Sequence, residues 1–377
     1  MVAGAPLRPR FLRRKSPLMP DFVSLSALAC PVPLTRYQQI LLGHGSGGRL
    51  SADLLQQVFL PALGNGVLSA LEDQATLEIP GSDPSLPGTR LAFTTDSFVV
   101  RPLFFPGGDI GRLAVHGTVN DLAVGGAIPL FLSAAFILEE GLSIQDLTRI
   151  VASMRAACAE SNVTIATGDT KVVDRGKGDQ VFIATSGIGV VPAGRRLSVR
   201  NAHPGDIVLV SGTIGDHGIA IMSVREGLEF ETVLESDTAS LAGLTQAMLA
   251  ACPGIRWMRD PTRGGVSSSL IELAEASRVG VKLVESAVPL RPAVHAACEM
   301  LGLDPLYVAN EGKLLAVVPR DNADRLLEVM RSQPLGRDAA IIGEIVADHP
   351  GTVVMKTRIG GERVVTMLSG EQLPRIC

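Results

Sequence analysis

Five aspartates stand beside apolar runs in settings rich in glycine, serine or threonine. They are Asp73 in LEDQATL, Asp96 in FTTDSF, Asp121 in HGTVNDLAVGG, Asp169 in ATGDTKVV and Asp260 in RDPTRGG. Each alone reads as a cap or turn residue where a strand ends or a helix starts. As a set they are hard oxygen donors suited to Mg2+ held jointly with substrate phosphates. Lys171, two residues after Asp169, offers a cation for a phosphate or a developing negative charge. The same lysine also reads as a surface residue at a strand end, among Asp174, Arg175 and Lys177.

Two glycine-rich elements accompany them. GHGSGG spans Gly43, His44, Gly45, Ser46, Gly47 and Gly48 and provides a flexible loop whose N–H groups can line an anion. It matches neither a Walker nor a Rossmann pattern, and an ordinary tight turn is equally compatible. His44 is open to two roles, loop hydrogen-bonder or phosphate ligand. RDPTRGGV runs straight into a helical pattern, so Arg263, Gly264 and Gly265 at a helix N-terminus suit a phosphate. Asn310 and Glu311 precede the apolar run of YVANEGKLLAVV, where Glu311 is a candidate general base or a turn residue paired with Lys313.

The chain finishes on EQLPRIC, with Cys377 last. Seven extended residues reach roughly 20 Å, enough to carry a thiol between a cleft and a partner's surface. The other cysteines, Cys30, Cys158, Cys252 and Cys298, form no CxxC or Cys/His ligand pattern, so neither a disulfide framework nor a zinc site is indicated. Cys158 and Cys298 lie in helix-like apolar stretches and read as buried small hydrophobes.

The elements that must position these groups alternate. Strand-like runs occupy 91–100, 129–138, 180–191, 206–212, 281–285, 313–318, 340–346 and 352–357. Helical periodicity marks 143–160, 239–251, 265–278 and 323–333. This is an α/β (α+β) pattern in two mixed halves, divided at the turn-rich RRLSVRNAHPGD (195–206). The expected organisation is an extension over 1–38 without stable structure, a first α/β domain over 39–200, a second α/β domain over 201–370 and a flexible tail over 371–377. RPRFLRRK (8–15) carries five positive charges, yet FVSLSALACPVPL lacks the uninterrupted apolar run of a signal peptide. A true start at Met19 is an alternative. With 46% hydrophobic and 19% charged residues the chain is globular, and a net charge of −4 gives no reason to expect nucleic acid. No membrane span is expected, and a reducing cytoplasm fits the cysteine usage.

Taken in order, GHGSGG, LEDQA, TTDSF, HGTVNDLAVGGA, ATGDTKVV, RDPTRGG, NEGK and PRIC resemble the HypE family of hydrogenase maturation factors, over about residues 40 to 377. That family lies within the superfamily of aminoimidazole ribonucleotide synthetase and selenophosphate synthetase. The resemblance implies a two-domain PurM-like ATP-binding fold whose first-domain strands join a second copy in a barrel-like homodimer core. It implies ATP phosphates near Gly43 to Gly48, Arg263 and Gly264, with Mg2+ on Asp73, Asp96, Asp121 and Asp260, and Asn120 and Asp169 supporting the site. It implies a carbamoyl dehydratase: the carbamoyltransferase HypF loads Cys377, and ATP drives dehydration of the S-carboxamide to a thiocyanate with Lys171 and Glu311 as catalytic residues. The cyano group then passes to iron on a HypC–HypD complex.

LEDQA departs from the wider superfamily's paired aspartates, since Glu72 precedes Asp73. Two rivals stand beside this reading. A selenophosphate synthetase-like enzyme would need a cysteine near the glycine loop, and residues 43–57 hold none, Cys30 lying upstream. A non-catalytic thiol or metal carrier would leave the aspartate–glycine set unexplained.

Overall fold

A computed structural model describes residues 39–78, 88–227, 234–368, 373 and 375–377. The expected extension over 1–38, with Cys30, lies outside the described residues.

The first half begins with Arg49–Leu54 (α1), a π turn over Leu55–Phe59 and Leu60–Leu63 (α2), which run on as one helix. Ala75–Leu77 (β1) and Arg90–Phe98 (β2) follow, then the small hairpin Phe104–Phe105 (β3) and Gly108–Asp109 (β4). Ile110–Val124 (α3), Ile128–Glu139 (β5), Ile144–Ser161 (α4), Thr164–Val173 (β6) and Val181–Val191 (β7) complete it. Five strands form one sheet in the order β1-β2-β7-β5-β6, antiparallel except for the β5/β6 pair. Parallel neighbours need a crossover, which α4 supplies. The side chain of Ser143 caps α4 by accepting the N–H groups of Gln145 and Asp146.

Residues of β7 alternate strictly between buried and less buried positions. One face of this sheet packs Ile183, Leu132 and Ala134 against Leu113, Ile150 and Met154 of α3 and α4. The opposite face leaves a row of large apolar side chains uncovered. Phe93, Ile188 and Phe131 are register partners across β2, β7 and β5, and they are 42%, 39% and 50% exposed. An apolar row of this kind marks an interaction surface.

The second half contains Ile207–Val210 (β8), Asp216–Glu226 (α5), Ala242–Ala251 (α6), Trp257–Arg259 (β9), Gly265–Ser277 (α7) and Gly280–Val284 (β10). Pro292–Leu301 (α8), Leu315–Val318 (β11), Arg320–Ser332 (α9), Ala340–Val346 (β12), Val353–Lys356 (β13) and Glu362–Val365 (β14) follow. Seven strands order as β14-β13-β10-β12-β8-β11-β9. Every residue of β8 and β11 is buried, as in a sheet covered on both faces. Val208, Val210, Leu315 and Val317 face Leu270 and Leu273 of α7, whereas Leu209 and Ala316 face Met248 of α6 and Leu326 of α9. Among the described residues no helix is long and apolar enough to cross a membrane.

The aspartates do not all stand at element ends as their settings suggest. Asp96 lies inside β2, Asp121 inside α3 and Asp169 inside β6. The physical reason is the placing of α3. This helix is buried around nearly its whole circumference, between the first sheet and the second half of the chain, so an inward position on it or on β2 faces a junction.

Candidate active site

Three of the aspartates meet at that junction. Asp73 precedes β1, Asp121 lies in the last turn of α3, and Asp260 follows β9; one carboxylate oxygen of each lies within 4.8 Å of the others. Burial first, and then neighbouring carboxylates, disfavour ionisation here, pushing Asp73 up to about 8 and Asp260 up to about 6, with Arg259 opposing both shifts. Asp121 rises well above the usual carboxylate range, from burial first and then from Asp260, Asp73 and Asp96. The Thr94 hydroxyl lies 2.8 Å from Asp121 Oδ2 and 3.0 Å from the Asp73 carbonyl oxygen. The hydroxyl is the donor to both acceptors, and its bond to Asp121 opposes the rise. Arg259 is the counter-cation, with Nε 2.8 Å from Asp73 Oδ1 and Nη2 3.1 Å from Glu272 Oε2 on α7. Three carboxylates, one buried and two partly buried, share that guanidinium with Glu272, a donor set that fits a hard divalent cation.

A second cluster holds the chain's last residue. Cys377 is enclosed beside Arg263, Glu311 and Asp96, and its thiol hydrogen-bonds to Glu311. Burial is the main cause raising the thiol's pKa well above its ordinary value, while Arg263 opposes it. Glu311 is 2% exposed, and burial, then Asp260, Asp237 and Asp96, hold its carboxyl well above the usual range. The alternative pairing with Lys313 is not made: Lys313 Nζ lies 3.4 Å from Asp237 Oδ2. Glu311's backbone is tied instead, its N–H donating to Asp237 Oδ1 (3.0 Å) and its carbonyl accepting from Asn120 Nδ2 (3.2 Å). Asn120 also donates to the Ala239 carbonyl and accepts the Leu241 N–H. Its amide is thus occupied in holding the Glu311 loop rather than facing a nucleotide. Asp96 sits between the clusters, 3.9 Å from Arg263 Nη2, and is one of the charges raising Asp121.

The glycine elements come together against both clusters. Gly47 has φ 72°, and a Cβ there would lie 2.7 Å from the Arg263 carbonyl oxygen; a Cβ on Gly264, at φ 77°, would lie 2.8 Å from the Gly47 carbonyl oxygen. Only glycine allows both approaches. Ser46 donates to the Gly43 carbonyl at 2.8 Å, Gly47 N–H donates to Ser51 Oγ at 3.0 Å, and Arg263 Nη1 donates to the Gly45 carbonyl at 3.3 Å. His44 turns inward on its own loop, Nδ1 accepting the Leu41 N–H at 2.9 Å. A cavity of about 560 Å³ opens beside the loop, lined by Gly47, Gly48, Leu71, Glu72, Arg259 and Met367. It is of small-ligand size, and Arg259 connects it to the carboxylates.

Comparison with known proteins decides the family. The AIR synthase related protein N-terminal domain family matches residues 71–191, and its C-terminal domain family matches residues 203–356. Carbamoyl dehydratase HypE of Azotobacter vinelandii is 59% identical over 334 residues, covering 89% of this chain and 96% of the relative. Carbamoyl dehydratase HypE of Escherichia coli K12 is 47% identical over 338 residues, covering 90% and 99%. The chain belongs to the HypE carbamoyl dehydratase family. A crystal structure of a HypE–HypF complex superposes with TM-score 0.78 at 50% identity, covering 84% of this chain and 99% of that one. One of HypE in complex with ATP superposes with TM-score 0.74 at 48% identity, covering 90% and 100%.

One expected pair stands outside the HypE-family cluster within a single copy. Asp169 and Lys171 lie on β6, an edge strand, exposed and paired with each other at 2.7 Å. Lys171 is the main reason the Asp169 pKa is lowered. Asp96 is in register with Thr185, Ala134 and Gly168, so β2 and β6 stand three strand spacings apart, roughly 14 Å. Conversely, Glu272, Asp237 and His217 belong to the neighbourhood and lie in none of the quoted motifs, while Thr94 opens TTDSF without having been singled out. Arg259 had one available signal, its place beside Asp260 in RDPTRGG.

Proposed function

We propose that this HypE-family chain dehydrates an S-carboxamide carried on its own Cys377 to a thiocyanate, with ATP as the activating co-substrate. The observation that carries this reading is the partly buried thiol of Cys377 hydrogen-bonded to Glu311, beside Arg263 and Asp96, whose charge also reaches the carboxylate triad. The resemblance to HypE solved with ATP and with HypF supports ATP in the glycine-lined cavity and HypF as the carbamoyl donor. The cyano group would then pass to iron on a HypC–HypD complex, as a ligand for a nickel–iron hydrogenase.

The chemistry balances as R–S–C(=O)NH2 plus ATP giving R–S–C≡N, ADP and inorganic phosphate. An amide oxygen is a poor leaving group until it carries a phosphoryl group. Glu311 then accepts one N–H proton as the C–O bond breaks and the nitrile forms, and the other leaves on the departing phosphate. A carboxylate whose proton affinity is raised by burial is the stronger base for that step. Arg263 neutralises charge on the departing phosphate. Asp73, Asp121 and Asp260, with Asp96 adjoining, would hold Mg2+, which supplies charge neutralisation on the nucleotide phosphates. The partial burial of Cys377 limits the access of water to the activated amide. Lys171 joins this reading only if copies pair: the uncovered row Phe93, Ile188 and Phe131 is the surface such a homodimer would bury, and pairing would bring the β6 edge to a second site.

The test follows the intact C-terminal peptide by mass spectrometry after incubation with HypF, carbamoyl phosphate and ATP. Carbamoylation of Cys377 followed by ATP-dependent loss of water is expected. An unmodified Cys377, or a dehydration indifferent to Cys377→Ala, overturns the proposal.

A further inference from the structure

The residues just before the reacting thiol are held as tightly as the thiol itself. Val99 N–H donates to the Cys377 carbonyl at 3.0 Å and Arg101 N–H to the Arg375 carbonyl at 3.1 Å, so Ile376 bridges Val100 as a strand would. Ile376 is 4% exposed and packs in the core that contains Phe98, Leu103 and Ile221. From α5, in the other half of the chain, the fully buried His217 brings Nε2 to 2.6 Å from the Ile376 carbonyl oxygen and Nδ1 to 2.8 Å from Ser236 Oγ. The Ile376 carbonyl can only accept, so Nε2 carries a proton, and in the neutral ring Nδ1 accepts from Ser236 Oγ, which itself accepts the Thr238 N–H. The ring proton is therefore on Nε2 and donates to the tail. Phe105 stands edge-on to the ring at 5.6 Å. Arg225, at the end of α5, donates to the Arg101 and Arg375 carbonyls, and the Arg375 guanidinium pairs with Asp179 before β7. Arg375 is held at φ 53°, a left-handed conformation that side chains rarely adopt and that these contacts maintain.

We infer that His217, Arg225 and Asp179 are positioning residues: they clasp the backbone of residues 375–376, set Cys377 against Glu311, and govern how readily the tail leaves the site. The functional meaning of the clasp rests on the proposed reaction; its geometry does not. None of the three touches the sulfur. They grip peptide carbonyls and the Arg375 side chain, which stay the same whether the sulfur carries hydrogen, a carboxamide or a cyano group. The clasp is therefore blind to the load, and only the Glu311 contact senses it. Withdrawing the tail leaves the buried His217 N–H without an acceptor, a penalty that favours the inserted position.

The test uses the full chain without ATP or partner, and measures the rate at which N-ethylmaleimide labels Cys377, read on the C-terminal peptide by mass spectrometry. His217→Leu and Asp179→Ala should each speed labelling roughly tenfold, the effect of one lost hydrogen bond. His217→Gln, which can present an N–H near the same place, should restore slow labelling. In single-turnover dehydration of the carbamoylated chain, His217→Leu should slow the step and His217→Gln should recover it. Labelling as slow as wild type in both loosened variants overturns the clasp, as does fast labelling with dehydration unchanged. Should His217→Leu fail to fold, the rim variant Asp179→Ala decides alone. A wild-type chain that never dehydrates its tail defeats the proposed reaction, while the labelling difference still supports the clasp.

Discussion

The two sides of the first sheet carry similar-looking motifs to opposite surroundings. On β2 and the adjoining α3, Asp96 and Asp121 are partly buried against the second half of the chain, and desolvation raises both carboxyls. On β6, Asp169 is exposed beside Lys171, and its pKa is lowered. An aspartate between small polar residues therefore says little by itself; what packs over it decides whether it holds protons or gives them up. One copy thus brings together the Cys377 thiol, Glu311 and the carboxylates, and leaves Lys171 exposed on its edge strand.

The sharpest way to break the contrast is Glu311→Gln. It removes the buried acceptor while keeping shape, and the dehydration rate should fall by about 10²- to 10⁴-fold, measured as single turnover of the carbamoylated tail. A rate within about twofold of wild type would place proton transfer elsewhere. Next, Lys171→Ala and Cys377→Ala should each be inactive as pure proteins. Mixed copies should regain activity if β6 serves a second copy's tail, and should stay inactive if Lys171 acts on its own chain.

A stability measurement probes the buried side. His116 on α3 is fully buried, with its pKa lowered to about 4 chiefly by burial and then by Arg112, while Glu160 on α4 opposes the shift. The folded chain binds fewer protons there than the unfolded chain, whose histidine titrates near 6.5, so stability is intact above pH 6.5 and lost as pH falls toward 4. Between pH 7 and 4.5 wild type should lose roughly 2–3 kcal/mol more than His116→Leu, read from urea unfolding midpoints. Equal losses would show the ring is solvated. The smallest effect belongs to the exposed side: Asp169→Ala should leave the urea midpoint unchanged, because surface ion pairs contribute little. A clear drop would mean β6 is covered in solution.

Legibility in the sequence followed the same division. Strands whose apolar residues face a core, such as 340–346 and 180–191, are readable because burial imposes their pattern. The helix α3 is not, since HGTVNDLAV is buried nearly all round and shows no amphipathic period. The edge strand β6 escapes for the reverse reason: ATGDTKVV is exposed along its length, so no core selects alternation. At the site, residue types were readable and partnerships were not. EGK left Glu311 between a base and a partner for Lys313, and it took Asp237, far away in sequence, to claim the lysine. Likewise nothing in DHGIA announces that His217 meets the Ile376 carbonyl across 159 positions.

The sulfur beside Glu311 belongs to the same molecule as its proton acceptor, and this fixes the kinetic order of the proposed reaction. As long as paired copies stay together, diluting a loaded chain leaves its dehydration rate unchanged, because sulfur and carboxyl meet without a diffusional encounter. No Michaelis constant exists for the carried group. Only loading and unloading, which need other molecules, register how much protein is present.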